Sequence, residues 1–218
     1  MVPIIRVVGK SGSGKTNLTE ALVQELKRRG YNVAAVKHSP HGFDMDREGK
    51  DTWRYAQSGA DAVMVSSPGG IAMIRKTDHD STLAELSRIL GADFDIILAE
   101  GFKHEKGQKI EVLSREQGNQ PTCEAEELLA VVAEQKLAQN VPQFAPGDTA
   151  RLAEFIERRY LNKVGAESIS LYVGNEPVPL NEFVRGMFTN ILTGMISSLK
   201  RVPKSTSIDI FIRRKAGG

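Results

Sequence analysis

Between residues 3 and 161, short apolar runs alternate with stretches whose apolar residues recur every three or four positions. The runs at 3–8, 32–36, 62–66, 70–74, 95–99, 109–113 and 128–133 predict strands, with a weaker strand-like stretch at 141–144. Leu18, Ala21, Leu22 and Leu26 share one face of a helix that closes on Lys27-Arg28-Arg29-Gly30, cations and a glycine suited to its negative end. Further helices are predicted over 50–58, 81–90 and from Asp148 or Thr149 to about Leu161. Strand and helix in alternation make a doubly wound, mostly parallel α/β sheet, with ligands at the carboxyl ends of its strands. The two runs around Ser66-Ser67-Pro68-Gly69-Gly70 instead predict an antiparallel hairpin inserted into, and grafted onto, that sheet.

Beyond residue 165 the pattern changes. Residues 168–173 alternate as a strand, Gly174-Asn175-Glu176-Pro177 forms a turn, and Asn181 caps a helix bearing Phe183, Met187, Ile191 and Met195. A last alternation over 207–213 completes strand, helix, strand. The division is therefore a nucleotide-binding domain at 1–165 and a small βαβ-like extension at 166–218.

Composition narrows the partners. The 218 residues carry 29 basic and 27 acidic side chains, a net charge of +2, too little to make nucleic acid or an anionic membrane the principal partner. No apolar stretch approaches a membrane span and the chain opens directly into a strand, so a cytoplasmic location is expected. Cys123, the single cysteine, is expected to be a bystander thiol.

The chemistry begins at Gly9-Lys10-Ser11-Gly12-Ser13-Gly14-Lys15-Thr16, between the first strand and the first helix. This is a complete phosphate-binding loop in its working context: the glycines let backbone N–H groups face a phosphate, Lys15 reaches the β- and γ-phosphates, and Thr16 ligates Mg²⁺. The fold is thus of the P-loop NTPase type. A second metal-side carboxylate is expected at the tip of a neighbouring strand, and Glu100, followed by Gly101, fits. The loop after the second strand carries Lys37, His38, His41, Asp44, Asp46 and Lys50. Asp46 is the candidate there for the metal, and Lys37, His38 and Lys50 are candidates for phosphate; a solvated connector and a zinc site at His38 and His41 are the alternatives. Trp53 either packs or lines the pocket mouth, and His79 and His104, with no partners at metal or triad spacing, are expected to be surface residues. For the base, an Asn-Lys-x-Asp loop is only half matched by Asn162-Lys163, after a helix rather than a strand. Asp148, after the 141–144 stretch, either accepts from guanine or simply caps its helix.

Together the loop, Lys37-His38, Asp44 and Asp46, Gly49-Lys50-Asp51-Thr52-Trp53, Ser66-Ser67-Pro68 and Glu100-Gly101-Phe102-Lys103 resemble the molybdopterin-guanine dinucleotide biosynthesis protein B (MobB) family. The resemblance covers roughly residues 3 to 160. It implies a GTP-binding, Mg²⁺-dependent, weakly hydrolytic homodimer that assists a partner nucleotidyltransferase joining GMP to molybdopterin, with molybdopterin itself a further candidate ligand. It would set Lys15 and Thr16 on phosphate and magnesium, with Asp46, Lys50 and Glu100 around them. His41-Gly42-Phe43 stands where members often carry paired histidines, and the extension is an addition to the minimal family domain. Lys10 falls where dimeric adapter-type ATPases carry a second lysine; here it is either that residue or a surface lysine. An ATP-dependent small-molecule kinase is the competing class, for which Arg47, Arg54 and Arg75 form no obvious lid.

Overall fold

The computed structural model describes residues 2–44, 46–91, 93–114, 120–137, 141–162, 169–173 and 176–201, with Ile208, Ile210 and Ile212. Six strands, β1 (Ile4–Val8), β2 (Val33–Lys37), β5 (Ile96–Glu100), β6 (Lys109–Val112), β7 (Leu128–Val132) and β8 (Gln143–Phe144), form one sheet in the order β2-β5-β1-β6-β7-β8. Every pairing in it is parallel. The central strands are buried along nearly their whole length, as strands covered on both faces must be. Period-two alternation sorts their side chains. Ile5, Val7, Ile96 and Leu98 pack with Leu18, Leu22 and Leu26 of α1 (Lys15–Arg28) and with Leu152 and Ile156 of α4 (Thr149–Ile156). Ile4, Val36 and Ala99 pack with Leu83 and Leu86 of α3 (Leu83–Leu90). Helices thus cover both faces, and the doubly wound α/β expectation holds.

A π-helical turn, Glu157–Leu161, continues α4, and it is tied to the end of α1 by polar contacts. Arg29 donates to Glu157 at 2.7 Å and Tyr31 donates to the same carboxylate at 2.7 Å. Burial, and then the neighbouring Glu157 carboxylate, push the Tyr31 phenol up to about 12.

The hairpin is real but its attachment is not as expected. β3 (Ala62–Ser67) and β4 (Gly70–Arg75) pair antiparallel from Ala62 opposite Arg75 to Ser67 opposite Gly70, and they form a two-stranded sheet of their own. Only Val63 of its apolar residues is buried; Met64, Val65, Ile71 and Met73 are exposed. The short helix α2 (Asp51–Gln57) precedes it.

The chain divides into two compact units, Met1–Gly165 with Gly174–Glu176, and Ala166–Val173 with Pro177–Gly218. In the second, β9 (Leu171–Val173) pairs with β10 (Glu176–Val178), and α5 (Glu182–Ser197) follows. Asn181 caps α5 by accepting from the Val184 amide at 2.8 Å. Glu176 and Pro177, expected in a turn, open a strand instead, so the described part reads strand, strand, helix. Most of the final predicted strand, 207–213, lies outside the described residues.

Candidate functional site

Register builds one end of the site. Glu100 at the tip of β5 stands opposite Val7 of β1 and Lys37 of β2, so three parallel strands deliver their last residues to the start of the loop. The loop then turns on left-handed glycines: Gly12 has φ 75° and Gly14 φ 94°. Gly9, at φ 147°, is also a steric necessity, because a Cβ there would lie 2.5 Å from the Val112 carbonyl oxygen and 2.7 Å from Ser13 Oγ. Gly14 occupies the N-cap of α1 and no side chain caps it. The first N–H groups of that helix therefore present donors and the positive end of the dipole to whatever the loop encloses.

Side chains close around this opening. Thr16 Oγ1 donates to Glu100, 3.0 Å from each carboxylate oxygen, and Lys37 Nζ lies 3.5 Å from Glu100 Oε1. Lys15 Nζ donates to the Lys10 carbonyl at 2.7 Å. His38 pairs with Asp80 at 2.9 Å and its ring lies 4.9 Å from that of Phe102. Gly101 makes that approach possible, since a Cβ there would meet His38 Cβ at 3.0 Å, and Phe102 follows with an unusual positive φ of 55°.

Thr16, Glu100, Lys37, Lys15 and the loop are thus brought together as the sequence suggests. Asp46 is not joined to them: its carboxylate accepts from Thr52 Oγ1 at 3.0 Å and from the Arg47 amide at 2.8 Å, which tethers the connecting loop to α2. Lys50 stands at the N-cap of α2, exposed, and Ser11 is exposed on the loop. His79 is exposed, and Asp78 and then Glu85 hold its ring and raise its pKa. Among the described residues no three His, Cys, Asp or Glu gather as a metal cluster.

On the other side of the loop lies a cavity of about 410 Å³. Its walls are the loop at Gly12, Ser13 and Gly14, the first turn of α1 at Asn17 and Leu18, the ends of β6 and β7 at Val112, Leu113, Ser114, Val132 and Glu134, and Pro146. Asp148 is not among them; it occupies the N-cap position of α4 without a capping bond from its side chain, which Arg151 meets at 3.4 Å. Two buried hydroxyls on the cavity wall, Ser13 Oγ and Ser114 Oγ, have no hydrogen-bond partner among the described residues. Behind this wall, Glu111 of β6 is almost fully buried and accepts from Thr122 Oγ1 at 2.6 Å, from the Thr122 amide at 2.9 Å and from the Cys123 amide at 3.0 Å. Burial alone would raise its pKa, but these donors together bring it below the usual carboxylate value. Burial, and then Glu111, push the Cys123 thiol up to about 11, which keeps it protonated and unreactive at neutral pH.

Glu134 and Ser114 escaped the reading of the sequence. Glu134 follows a buried strand just as Glu100 ends one, and that position was the available signal.

Comparison with known proteins places the chain in a family. The family described as MobB, molybdopterin guanine dinucleotide synthesis protein B, matches residues 4–134. The molybdopterin-guanine dinucleotide biosynthesis adapter protein of Haemophilus influenzae is 36% identical over 133 residues, 61% of this chain and 74% of that protein. The Escherichia coli adapter protein of the same name is 32% identical over 165 residues, 72% of this chain and 92% of its own length. The crystal structure of Bacillus subtilis MobB superposes with a TM-score of 0.56 at 29% identity, covering 72% of this chain and 98% of that one. The chain belongs to the MobB family.

Proposed function

We propose that this MobB-family chain binds Mg²⁺-GTP at the loop 9–16 and acts as an adapter for a nucleotidyltransferase that joins GMP to molybdopterin. The observation that carries the reading is the Thr16–Glu100 pair, held at 3.0 Å beside a helix N-terminus that no side chain caps. A hydroxyl and a carboxylate are hard oxygen donors of the kind Mg²⁺ takes one or two at a time, with phosphate oxygens and water completing its shell. Thr16 and Glu100 would hold the ion, which when bound offsets charge between the β- and γ-phosphates. Lys15 would exchange the Lys10 carbonyl for phosphate oxygen, the amides of residues 12–16 would donate to the same group, and Lys37 would add positive charge beside Glu100.

Hydrolysis by this chain alone is slow in this reading. No Gln or Arg joins the Thr16–Glu100–Lys37 group among the described residues, so nothing in that group orients water or offsets transition-state charge. A homodimer fits the exposed apolar side chains of the hairpin, Met64, Val65, Ile71 and Met73.

Equilibrium binding of fluorescent GTP and ATP analogues with Mg²⁺ tests the proposal. GTP is expected to bind more tightly than ATP, and Lys15→Ala to weaken it by about tenfold to a hundredfold, the loss of a charge-assisted contact. A preference for ATP moves the chain to the kinase or adapter-ATPase class, and binding of neither nucleotide overturns the assignment of the loop.

A further inference from the structure

We propose that Glu134 reads the base, and that it does so by accepting from guanine. The inference deepens the nucleotide reading above and rests on it. The cavity shares Gly12, Ser13 and Gly14 with the phosphate loop, so a nucleotide whose phosphates sit on those amides has its nucleoside end beside this wall. At about 410 Å³ the cavity lies in the range that holds small ligands. Its lining is apolar at Leu18, Val112, Leu113 and Val132, which suits the faces of a purine. Ser13 Oγ and Ser114 Oγ are buried there with no partner among the described residues, an expense that a polar ligand removes.

Glu134 is the one charged side chain among the described residues lining the cavity. It projects from the residues that follow β7, where an open α/β sheet presents ligand contacts. The Watson–Crick edge of guanine carries two adjacent donors, N1–H and N2–H, and a carboxylate accepts both. Adenine presents a lone pair at N1, which a carboxylate repels. Hypoxanthine lacks the N2 donor, and xanthine carries an oxygen there. An amide in place of the carboxylate accepts from N1–H with its oxygen and donates to the xanthine oxygen with its nitrogen.

The test is a four-nucleotide binding series with Mg²⁺, using GTP, ITP, XTP and ATP on the full chain, Glu134→Gln and Glu134→Ala. The unaltered chain is expected to favour GTP over ITP and XTP by about tenfold or more, the discrimination typical of a paired contact to a base edge. Glu134→Gln should lose GTP affinity and gain XTP affinity by comparable factors, and Glu134→Ala should lose the first without gaining the second. Glu134 is exposed, so neither change removes a core contact. If the unaltered chain prefers GTP and both variants keep its GTP-to-XTP ratio, Glu134 does not read the base although the GTP reading survives. If the unaltered chain does not distinguish GTP from ATP, the guanine reading itself falls, and Glu134 with it.

Discussion

At the tips of β1, β2 and β5 the side chains hold one another, whereas at the tips of β6 and β7 they leave a space. Glu100 is met by Thr16 and Lys37, and Lys15 by a loop carbonyl. Across the loop, two serine hydroxyls are buried on the wall of a cavity without partners among the described residues. The contrast follows from the cost of each kind of group. The largely covered Glu100 carboxylate needs a partner, while a lone buried hydroxyl costs only about 1–3 kcal/mol. A ligand taken up at the Glu100 end would have to exchange those contacts. The cavity across the loop supplies shape, two buried hydroxyls and one carboxylate.

Gly9 lies where the two ends meet, and Gly9→Ala should give the largest effect. Its Cβ would press on the Val112 carbonyl at 2.5 Å and on Ser13 Oγ at 2.7 Å, in a backbone region that side chains rarely adopt. A loss of about 2–4 kcal/mol in chemical denaturation is expected, together with loss of GTP binding. Unchanged stability would mean that β1 and β6 are not as closely joined at this point as the structure has them.

Glu100→Gln should separate the ends. It is expected to weaken GTP binding about tenfold in Mg²⁺ and to leave binding in EDTA unchanged, since only the metal side loses a charge. Equal losses with and without Mg²⁺ would place Glu100 outside the metal's reach.

The smallest effect concerns the wall behind the cavity. Glu111 is held in its ionised form by Thr122 and Cys123, with a folded-state pKa below its ordinary value near 4.5. Its contribution to stability is therefore complete above that value and is lost as pH falls through the lowered one. As pH is lowered from 7 through that value, the unaltered chain should lose more stability than Glu111→Gln. Parallel declines in the two proteins would show that the carboxylate is not held this way.

How much was legible differs between the ends for the same reason that their chemistry does. The proposed phosphate end is largely one contiguous segment of eight residues, 9–16, and Glu100 is found by asking which apolar strand ends in a carboxylate. The connecting loop was less readable. Asp46 has the right chemistry for a metal, but a side chain's direction in a loop depends on what it caps, and Thr52 and the Arg47 amide claim it. The cavity proposed for the base is drawn from four separate stretches, around Asn17, Ser114, Glu134 and Pro146, and no local pattern links them.

The sequence alone determined the doubly wound α/β architecture, the glycine-rich loop between the first strand and helix, and the family. Those depend on hydrophobic period, glycine conformational freedom and residues adjacent along the chain, all of which are local. Tertiary structure decided that the hairpin forms its own sheet, that Asp46 turns to α2, and that Glu134 rather than Asp148 lines the cavity. Each of these depends on parallel strand order and register, which bring together residues far apart along the chain, and no local preference specifies such a meeting.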